Sequence, residues 1–356
     1  MNSGPVSIID PSADGRWDAF VSRAPGSSVF HHSSWKKVIE ETFHLKPLYL
    51  ALEDGADSLR CGIPFFLTDG LLTGKALISL PLSDYCDILT DDAEDFGRLW
   101  RSALDQGREN RARYVEIRLR DKGRIDLGLH SLEKRKTYLN HFLEIKDDID
   151  FMEKKVIEKS YKYDIRQATK SGVVLKAAKS EPDMKRYYRL YVSTRAHHGL
   201  PPMPYAFFRN MWHILSPSKM IYLFLAYWLE RPVAGIIFLR YNDCLYALSN
   251  SSDRRFLDKK PNHLLWWRGI QLAVDLNLSG LDFGRTSLDN RGLRFFKQRW
   301  GTKEIQINYY RYDISVTNRQ GGLHALSYLE RAMPRVIKRL PSWALRPIGN
   351  MVYRYL

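Results

Sequence analysis

The residue types best suited to chemistry lie in one segment near the carboxyl end of the chain. Asp282 and Arg285 close a short apolar run, and Lys297 follows between Phe296 and Trp300. A fixed ammonium group can stabilise the negative charge that develops on a carbonyl oxygen during acyl transfer. A carboxylate can accept the proton that an attacking amine loses. The pattern indicates an acyl-transfer site, and the alternative is a solvated turn beside a strand carboxylate that bridges to a neighbouring element.

A second group of candidate residues lies before three closely spaced prolines. His198 is a candidate acid or base, because imidazole titrates near neutral pH, although a loop histidine more often only hydrogen-bonds its neighbours. Arg195 and Arg285 are expected to bind phosphates or carboxylates. Further candidate substrate-binding residues are Tyr246, in a predicted strand, and Asn262, at the start of a predicted helix.

An internal duplication determines the predicted architecture. Tyr49 precedes Gly62 by 13 residues, Tyr222 precedes Gly235 by the same distance, and the two pairs are offset by 173 residues. Both segments have the pattern of a hairpin. Each is followed by a predicted strand, helix and strand, at 76–80, 93–110 and 114–118 and at 245–248, 261–277 and 281–285. We therefore predict two mixed α/β domains, residues 1–148 and 149–322, and a tail, residues 323–356.

Charge favours an anionic partner. The chain has 356 residues and a formal net charge of +15, which fits nucleic acid, an acidic membrane or a phosphate-bearing substrate. A predicted helix over residues 152–170 gathers basic side chains on one face. It is either a solvated face or a surface for phosphates, and the cations concerned are Lys155, Lys159, Lys162, Arg166 and Lys170.

The tail, residues 323–356, combines six Lys or Arg with one acid and an apolar stripe. This profile is typical of a helix that lies on a membrane surface, and equally of a helix that packs on the core. Three widely spaced cysteines indicate neither disulfides nor a metal site. The amino terminus lacks a signal-peptide pattern, so we expect a cytoplasmic protein, in peripheral contact with the membrane if the tail binds it.

Several function classes lack their motifs. The sequence contains no Walker-type phosphate loop, no dinucleotide-binding loop and no Gly-x-Ser-x-Gly elbow. It also contains no zinc-finger spacing and no recognition-helix pattern, so we expect no DNA partner.

The order of the motifs resembles the FemAB-like branch of the GNAT acyltransferase superfamily. The resemblance extends over roughly residues 25–315 and rests on Arg195 with His198-Gly199-Leu200-Pro201, Pro261-Asn262-His263-Leu264-Leu265-Trp266, Asp282-Phe283-Gly284-Arg285, Gly292-Leu293, Phe296-Lys297 and Trp300-Gly301. It implies two tandem GNAT-like domains of mixed α/β structure, in agreement with the duplication.

The resemblance also implies transfer of an acyl or aminoacyl group to an amine. By position, Lys297 matches the lysine assigned to transition-state stabilisation, with Phe296 as its aromatic partner. Asp282 and Arg285 match a strand in the pocket of the second domain. Asp84-Tyr85 match a substrate-facing loop of the first domain.

The donor implied for the peptidoglycan-bridge members is aminoacyl-tRNA, and the acceptor is a lipid- or nucleotide-linked muropeptide. Related proteins occur in exopolysaccharide systems. The segment 254–262 has no glycine, whereas the usual GNAT pyrophosphate loop is glycine-rich. We therefore leave the donor open between aminoacyl-tRNA and acyl-CoA, and expect no tightly bound cofactor and no metal.

Three functions follow as hypotheses. The first is an N-acyl or aminoacyl transferase for a cell-envelope precursor, acting by direct transfer. The second is a non-enzymatic RNA-binding protein that uses the basic surface. The third is a membrane-associated scaffold of an envelope-assembly system.

Overall fold

The computed structural model describes residues 5–314 except 56, 71–73, 91, 122–131 and 147, and beyond them residues 337, 338, 340 and 342–354. The chain forms two compact units. The first contains Met1–Asn140, Ile305–Gly322 and Tyr355–Leu356, and the second contains His141–Glu304 and Leu323–Arg354. The expected domain limits after residues 148 and 322 stay predictions. The two units are defined by their internal contacts, which do not show where an independently folding domain begins or ends.

Helices and strands are mixed along the chain. Up to residue 144 they are β1 (Val6–Ile9), α1 (Arg16–Arg23), α2 (Ser33–Phe43), β2 (Lys46–Glu53), β3 (Leu59–Gly70), β4 (Gly74–Ile78), α3 (Ala93–Glu109), β5 (Tyr114–Arg120) and β6 (Glu133–Glu144). The later elements are α4 (Ile149–Phe151), α5 (Lys159–Lys170), β7 (Val174–Ala177), α6 (Glu181–His198), α7 (Tyr205–Leu215), β8 (Ile221–Trp228), β9 (Arg231–Tyr241), β10 (Cys244–Ser252), α8 (Pro261–Asp275), β11 (Gly280–Ser287), α9 (Arg291–Gln298), β12 (Lys303–Asp313) and α10 (Ser342–Arg354).

The two units repeat one plan, which confirms the duplication. In the first, the strand order is β1-β2-β3-β4-β5, and in the second β7-β8-β9-β10-β11. Neighbouring strands are antiparallel except the last pair of each unit, β4 with β5 and β10 with β11, which are parallel. Two helices separate the first and second strands, and one separates the fourth and fifth.

The repeated glycines have a packing reason. A Cβ on Gly62 would lie 2.7 Å from the Trp17 ring of α1, and one on Gly235 would lie 2.7 Å from the Tyr187 ring of α6. In each unit the glycine of the second hairpin strand thus admits an aromatic ring from the first helix. Only a residue without a side chain permits such a close approach, so the Tyr-to-Gly spacing recurs because the same contact recurs.

The prediction of one continuous helix over residues 152–170 is wrong, because the chain is extended at Ile157. Met152–Val156 form a π-helical turn, and Ile157 is extended with φ −81 and ψ 135. The helix restarts as α5, and the Glu158 amide donates to the Arg299 carbonyl at 3.1 Å. This tertiary hydrogen bond and the burial of Ile157, which is 3% exposed, outweigh the local helical pattern. Lys155 therefore does not belong to the α5 face.

The described part of the tail is helical, as expected. α10 packs on α6 of the second unit, with Leu345 fully buried. Arg346 lies over the Tyr188 ring at 5.7 Å, and the Arg195 guanidinium donates to the Tyr353 hydroxyl at 3.1 Å. Residues 323–336 lie outside the described residues. For α10 these contacts favour the alternative in which the tail packs on the core.

Candidate active site

The candidate site lies where the two parallel strands of the second unit separate. β10 and β11 pair over three positions, of which the last is Tyr246 with Asp282. Among the described residues no further pairing follows, although β10 continues to Ser252 and β11 to Ser287. The register of β10 against β9 shifts between Ala247 and Ser249, directly after this point. A bulge there turns the strand and terminates pairing, which opens the carboxyl edge of the sheet.

A tyrosine of α6 holds this bulge. The Tyr187 hydroxyl lies 2.9 Å from the Ser249 carbonyl and 2.7 Å from its hydroxyl oxygen. Burial raises the pKa of Tyr187 to about 12, so it remains a hydrogen-bond donor. The side chain that Gly235 admits thus fixes the conformation of β10 beside the opening.

In the first unit the equivalent position is filled by the chain itself. β4 and β5 also pair over three positions, ending at Ile78 with Glu116. Beyond them, the Cys86 amide donates to the Arg118 carbonyl at 2.7 Å. The Arg120 guanidinium binds Asp87 at 2.9 and 2.8 Å. The loop that carries these residues closes the first unit, and the second unit has no equivalent among the described residues.

Lys297 sits at the opening of the second unit. It is 4% exposed, and its Nζ donates to the carbonyls of Gly284 at 2.8 Å and Arg285 at 3.0 Å. By the strand register, Gly284 is equivalent to Arg118 of the first unit. The lysine ammonium thus donates to the Gly284 carbonyl, whereas in the first unit the Cys86 amide donates to the equivalent carbonyl of Arg118. It is held by the backbone of β11 and not by the aromatic packing that the sequence indicated.

Two neighbouring candidates share the strand. Asp282 is 2% exposed, and its Oδ1 accepts from the Gly284 amide at 2.7 Å, where φ is +73. Arg285 is exposed, so the two side chains lie on different faces, as their spacing predicts. Tyr246 is 7% exposed and pairs with Asp282 across the last bridge. The structure brings Asp282, Tyr246 and Lys297 to one edge of the sheet.

Phe296 and Trp300 belong to an aromatic cluster on the other side of α9. Their ring centroids lie 5.5 and 5.0 Å from that of Tyr161 in α5. His263 of α8 joins them, with its Nε2 3.3 Å from Asp164. Burial lowers the pKa of the His263 imidazole. The cluster anchors α9 between α5 and α8 and fixes the backbone that carries Lys297.

His141 is a neighbour of Lys297 that sequence reasoning missed. Its Nδ1 lies 3.3 Å from Thr302 Oγ1, and that hydroxyl donates to the Lys297 carbonyl at 3.1 Å. Burial, followed by the charge of Lys297, lowers the pKa of His141 to about 4. A histidine in β6, more than 150 residues from Lys297, leaves no local signal in the chain.

Other candidates lie elsewhere in the second unit. Arg195 donates to the Pro201 carbonyl at 3.1 and 3.0 Å as well as to Tyr353, so it fastens the proline loop and α10. His198 is exposed at the end of α6, and the pKa of its imidazole is lowered by burial and by neighbouring cations. Asn262 donates to Ser252 Oγ at 3.2 Å, at the end of β10.

The remaining candidates are engaged in local contacts. Lys162 donates to the Lys154 carbonyl at 3.0 Å, and Arg166 pairs with Glu153 at 3.4 Å. In the first unit, the Tyr85 ring is 1% exposed beneath the Arg120 guanidinium at 4.0 Å. The Asp84 carbonyl accepts from the Tyr309 hydroxyl at 3.0 Å.

The described residues meet the requirements of neither a metal site nor a membrane-spanning helix. Within them, no group of three or more His, Cys, Asp or Glu side chains is placed to hold a metal ion. None of the helices in this part of the chain has both the length and the apolar character needed to cross a membrane.

Comparison with known proteins agrees with this geometry. Residues 157–298 match the family model described as an acetyltransferase (GNAT) domain. No curated protein matches the chain in sequence. Among solved structures, FemX has a TM-score of 0.68 at 15% identity, over 91% of this chain and 99% of FemX.

Two further structures share the fold over most of their length. A tandem GNAT protein from the clavulanic acid biosynthesis pathway has a TM-score of 0.59 at 8% identity, covering 88% of this chain and 100% of that one. The carboxyl-terminal domain of a putative lysylphosphatidylglycerol synthetase from Agrobacterium fabrum has a TM-score of 0.55 at 12% identity, covering 90% and 96%.

Residues 157–298 of the second unit therefore form a GNAT acetyltransferase domain, which supports an acyltransferase. The tandem GNAT-like fold expected from the motifs is confirmed, since the fold of the chain is similar to those of FemX and of the tandem GNAT protein.

Proposed function

We propose that the chain transfers an acyl or aminoacyl group to an amine of a cell-envelope precursor at the opening between β10 and β11. One observation carries the proposal. Lys297 is a buried cation that two carbonyls of β11 hold next to the point where the strands part. A preorganised positive charge in a water-poor site is what a developing oxyanion requires.

In the proposed reaction the acceptor amine attacks the donor carbonyl directly. A C–N bond forms, and the carbonyl π electrons move to oxygen beside Lys297. Collapse of the tetrahedral intermediate breaks the C–O bond of an aminoacyl ester or the C–S bond of an acyl thioester, and the leaving ribose hydroxyl of tRNA or thiol of CoA takes up a proton in exchange for the one that the amine loses. The amine loses its proton to a base, for which Asp282 is our candidate because it lies at the same edge.

The envelope assignment is supported by the class of the structural neighbours. The putative lysylphosphatidylglycerol synthetase and FemX share this fold. We extend it to a peptidoglycan or exopolysaccharide precursor, with a lipid-linked acceptor reached from the cytoplasmic face of the membrane. tRNA, as carrier of the donor, and an anionic membrane surface are the partners that this proposal includes.

The donor remains open between aminoacyl-tRNA and acyl-CoA. The start of α8 favours a donor bound differently from the usual GNAT mode. Pro261 at the first helical position has no amide hydrogen, and the His263 amide donates to the Lys260 carbonyl at 3.1 Å. These two positions therefore offer no free amide to a pyrophosphate.

A transfer assay distinguishes the candidate functions. The full chain is incubated with a radiolabelled aminoacyl-tRNA pool or with acetyl-CoA, and with a nucleotide-linked or a lipid-linked muropeptide as acceptor. Formation of a labelled amide that depends on both substrates supports the proposal. Binding of uncharged tRNA with no product from any pair would instead identify an RNA-binding protein. No product and no RNA binding would leave the scaffold as the better account.

A further inference from the structure

The second unit contains a group of basic side chains that has no acidic partner. It is formed by His197 and His198 at the end of α6, Arg254 after β10, and Lys338. The Arg254 guanidinium lies 3.2 Å from His197 Nδ1, and the two imidazole rings lie 5.4 Å apart. Lys338 and Arg254 both act electrostatically on His198. All four side chains are exposed.

The nearest carboxylate does not neutralise this group. Asp253, next to Arg254 in sequence, pairs with Arg255 at 2.6 Å and with Arg231 at 3.3 Å. Among the described residues no ion pair joins a carboxylate to any of the four basic side chains. Arg195, which also acts on His198, donates instead to a carbonyl and a hydroxyl.

The position of the group relates it to the open edge of the sheet. Thr194, one helical turn before His198, accepts from the Ser252 amide at 3.2 Å and donates to its carbonyl at 3.3 Å. Ser252 is the last residue of β10. The cations therefore stand at the end of the strand whose bulge opens the candidate active site.

Helix-dipole stabilisation explains only part of this arrangement. Histidines at the carboxyl end of α6 interact favourably with the helix dipole. Arg254 and Lys338 belong to other parts of the chain, so the dipole gives no reason for their approach. The charges of Arg254 and Lys338 have no carboxylate partner, and an anion with several acceptor oxygens removes the free-energy cost of their approach.

We propose that His197, His198, Arg254 and Lys338 form a binding site for a phosphate or pyrophosphate group at the end of β10. Once the two imidazoles are protonated, they and the guanidinium and ammonium offer more donors than one carboxylate accepts, whereas a phosphate has enough oxygens for all of them. The site stands apart from the transfer chemistry and needs no acyl donor for its test.

Protonation accompanies binding in this proposal. Burial and the charges of His197, Arg195, Arg254 and Lys338 lower the pKa of His198, so the free site holds this imidazole neutral near pH 7. A bound phosphate reverses the sign of the local charge and raises that pKa. Binding therefore takes up a proton, and affinity should rise as the pH falls from about 8 to about 6.

The test uses the full chain and inorganic pyrophosphate in calorimetric titrations at low ionic strength. We expect saturable binding, and a loss of affinity of at least about tenfold in Arg254→Gln and in Lys338→Gln, because each removes a charge-assisted hydrogen bond. Arg189→Gln is the matched control, since Arg189 is an exposed arginine two turns earlier on α6. The control should bind as the wild type does.

Three outcomes would overturn the proposal. The first is the absence of saturable pyrophosphate binding by the wild type. The second is a loss of affinity in Arg189→Gln equal to that in the two variants. The third is unchanged affinity in Arg254→Gln and Lys338→Gln, and a lowered melting temperature of these variants would then indicate a structural role. NMR titration of the wild-type histidines gives an answer without any variant, and unshifted His197 and His198 signals would also contradict the site. Vesicles that contain phosphatidic acid identify the source of the phosphate. Displacement of the protein from them by pyrophosphate would show that lipid and soluble phosphates share the site.

Discussion

At the scale of single residues, the candidate site of the second unit is built from buried polar groups that the backbone holds in place. Lys297 donates to two carbonyls of β11, and Asp282 accepts from the Gly284 amide two residues later. The sequence pointed to both side chains by type, because an ammonium suits a developing oxyanion and a carboxylate suits a departing proton. It could not identify their hydrogen-bond partners, because these are backbone carbonyl and amide groups, which are alike in almost every residue.

His141 leads to a prediction about pH and stability. Its folded-state pKa of about 4 lies below the value of about 6.5 for an exposed imidazole. The unfolded chain therefore binds more protons as the pH falls through this interval, and the folded state loses stability there. At pH 5 the loss from this residue is about 2 kcal/mol. In His141→Gln the free energy of unfolding should fall less between pH 7 and pH 5, by denaturant titration. An equally steep fall would contradict the prediction.

At the scale of elements, local pattern determined most of the fold. The helix expected at 261–277 is α8 at Pro261–Asp275, and the strand expected at 281–285 is β11 at Gly280–Ser287. Their apolar periodicity is intrinsic to the segment. The break at Ile157 depends on a hydrogen bond to Arg299, more than 140 residues away, so periodicity predicted one long helix instead.

Gly235 offers a test of the repeated helix-to-hairpin contact. In Gly235→Ala the new Cβ meets Tyr187 at 2.7 Å and Leu225 at 2.9 Å, so the free energy of unfolding should fall by about 1–3 kcal/mol. The matched control is Gly97→Ala in α3, where no atom lies within 4 Å of the added Cβ. In Gly97→Ala the free energy of unfolding should rise by about 1 kcal/mol, because alanine favours a helix interior over glycine. Equal effects at both glycines would refute the packing argument.

Tyr187 offers a second test at this scale. Tyr187→Phe keeps the ring but removes the hydroxyl that binds Ser249 at the bulge. We expect a loss of about 1–2 kcal/mol in the free energy of unfolding. Hydrogen exchange of the amides at 247–252 should become faster, since the bulge loses its contact with α6. Unchanged exchange there would show that β10 keeps its course without this hydroxyl.

At the scale of the whole molecule, the chain is a duplication in which the two copies have diverged. In the first copy the Cys86 amide donates to the Arg118 carbonyl and closes the gap beside β5. In the second copy Lys297 donates to the equivalent carbonyl, that of Gly284. The sequence indicated the duplication through the Tyr-to-Gly spacing. It did not indicate the closure, which depends on a loop with left-handed Leu80 and Leu82 rather than on a repeated motif.

The tail gives a prediction about the molecule without a membrane. Leu345 is fully buried and Tyr353 binds Arg195, so the amides of 342–354 should be protected from hydrogen exchange in solution. Leu345→Ser should remove this protection by leaving a cavity against α6. Exchange by mass spectrometry on the full chain provides the measurement. Fast exchange in the wild type, slowed only by anionic vesicles, would favour the membrane-bound tail instead.

The central claim is that the ammonium of Lys297 stabilises the transition state of acyl transfer. The direct measurement is the steady-state rate of Lys297→Met against Lys303→Met, a lysine 70% exposed and paired with Glu144. We predict that kcat falls several-hundred-fold in Lys297→Met with KM nearly unchanged, as for the loss of one oxyanion donor. Lys303→Met should keep the wild-type kcat. A folded Lys297→Met variant with the wild-type kcat would contradict the account.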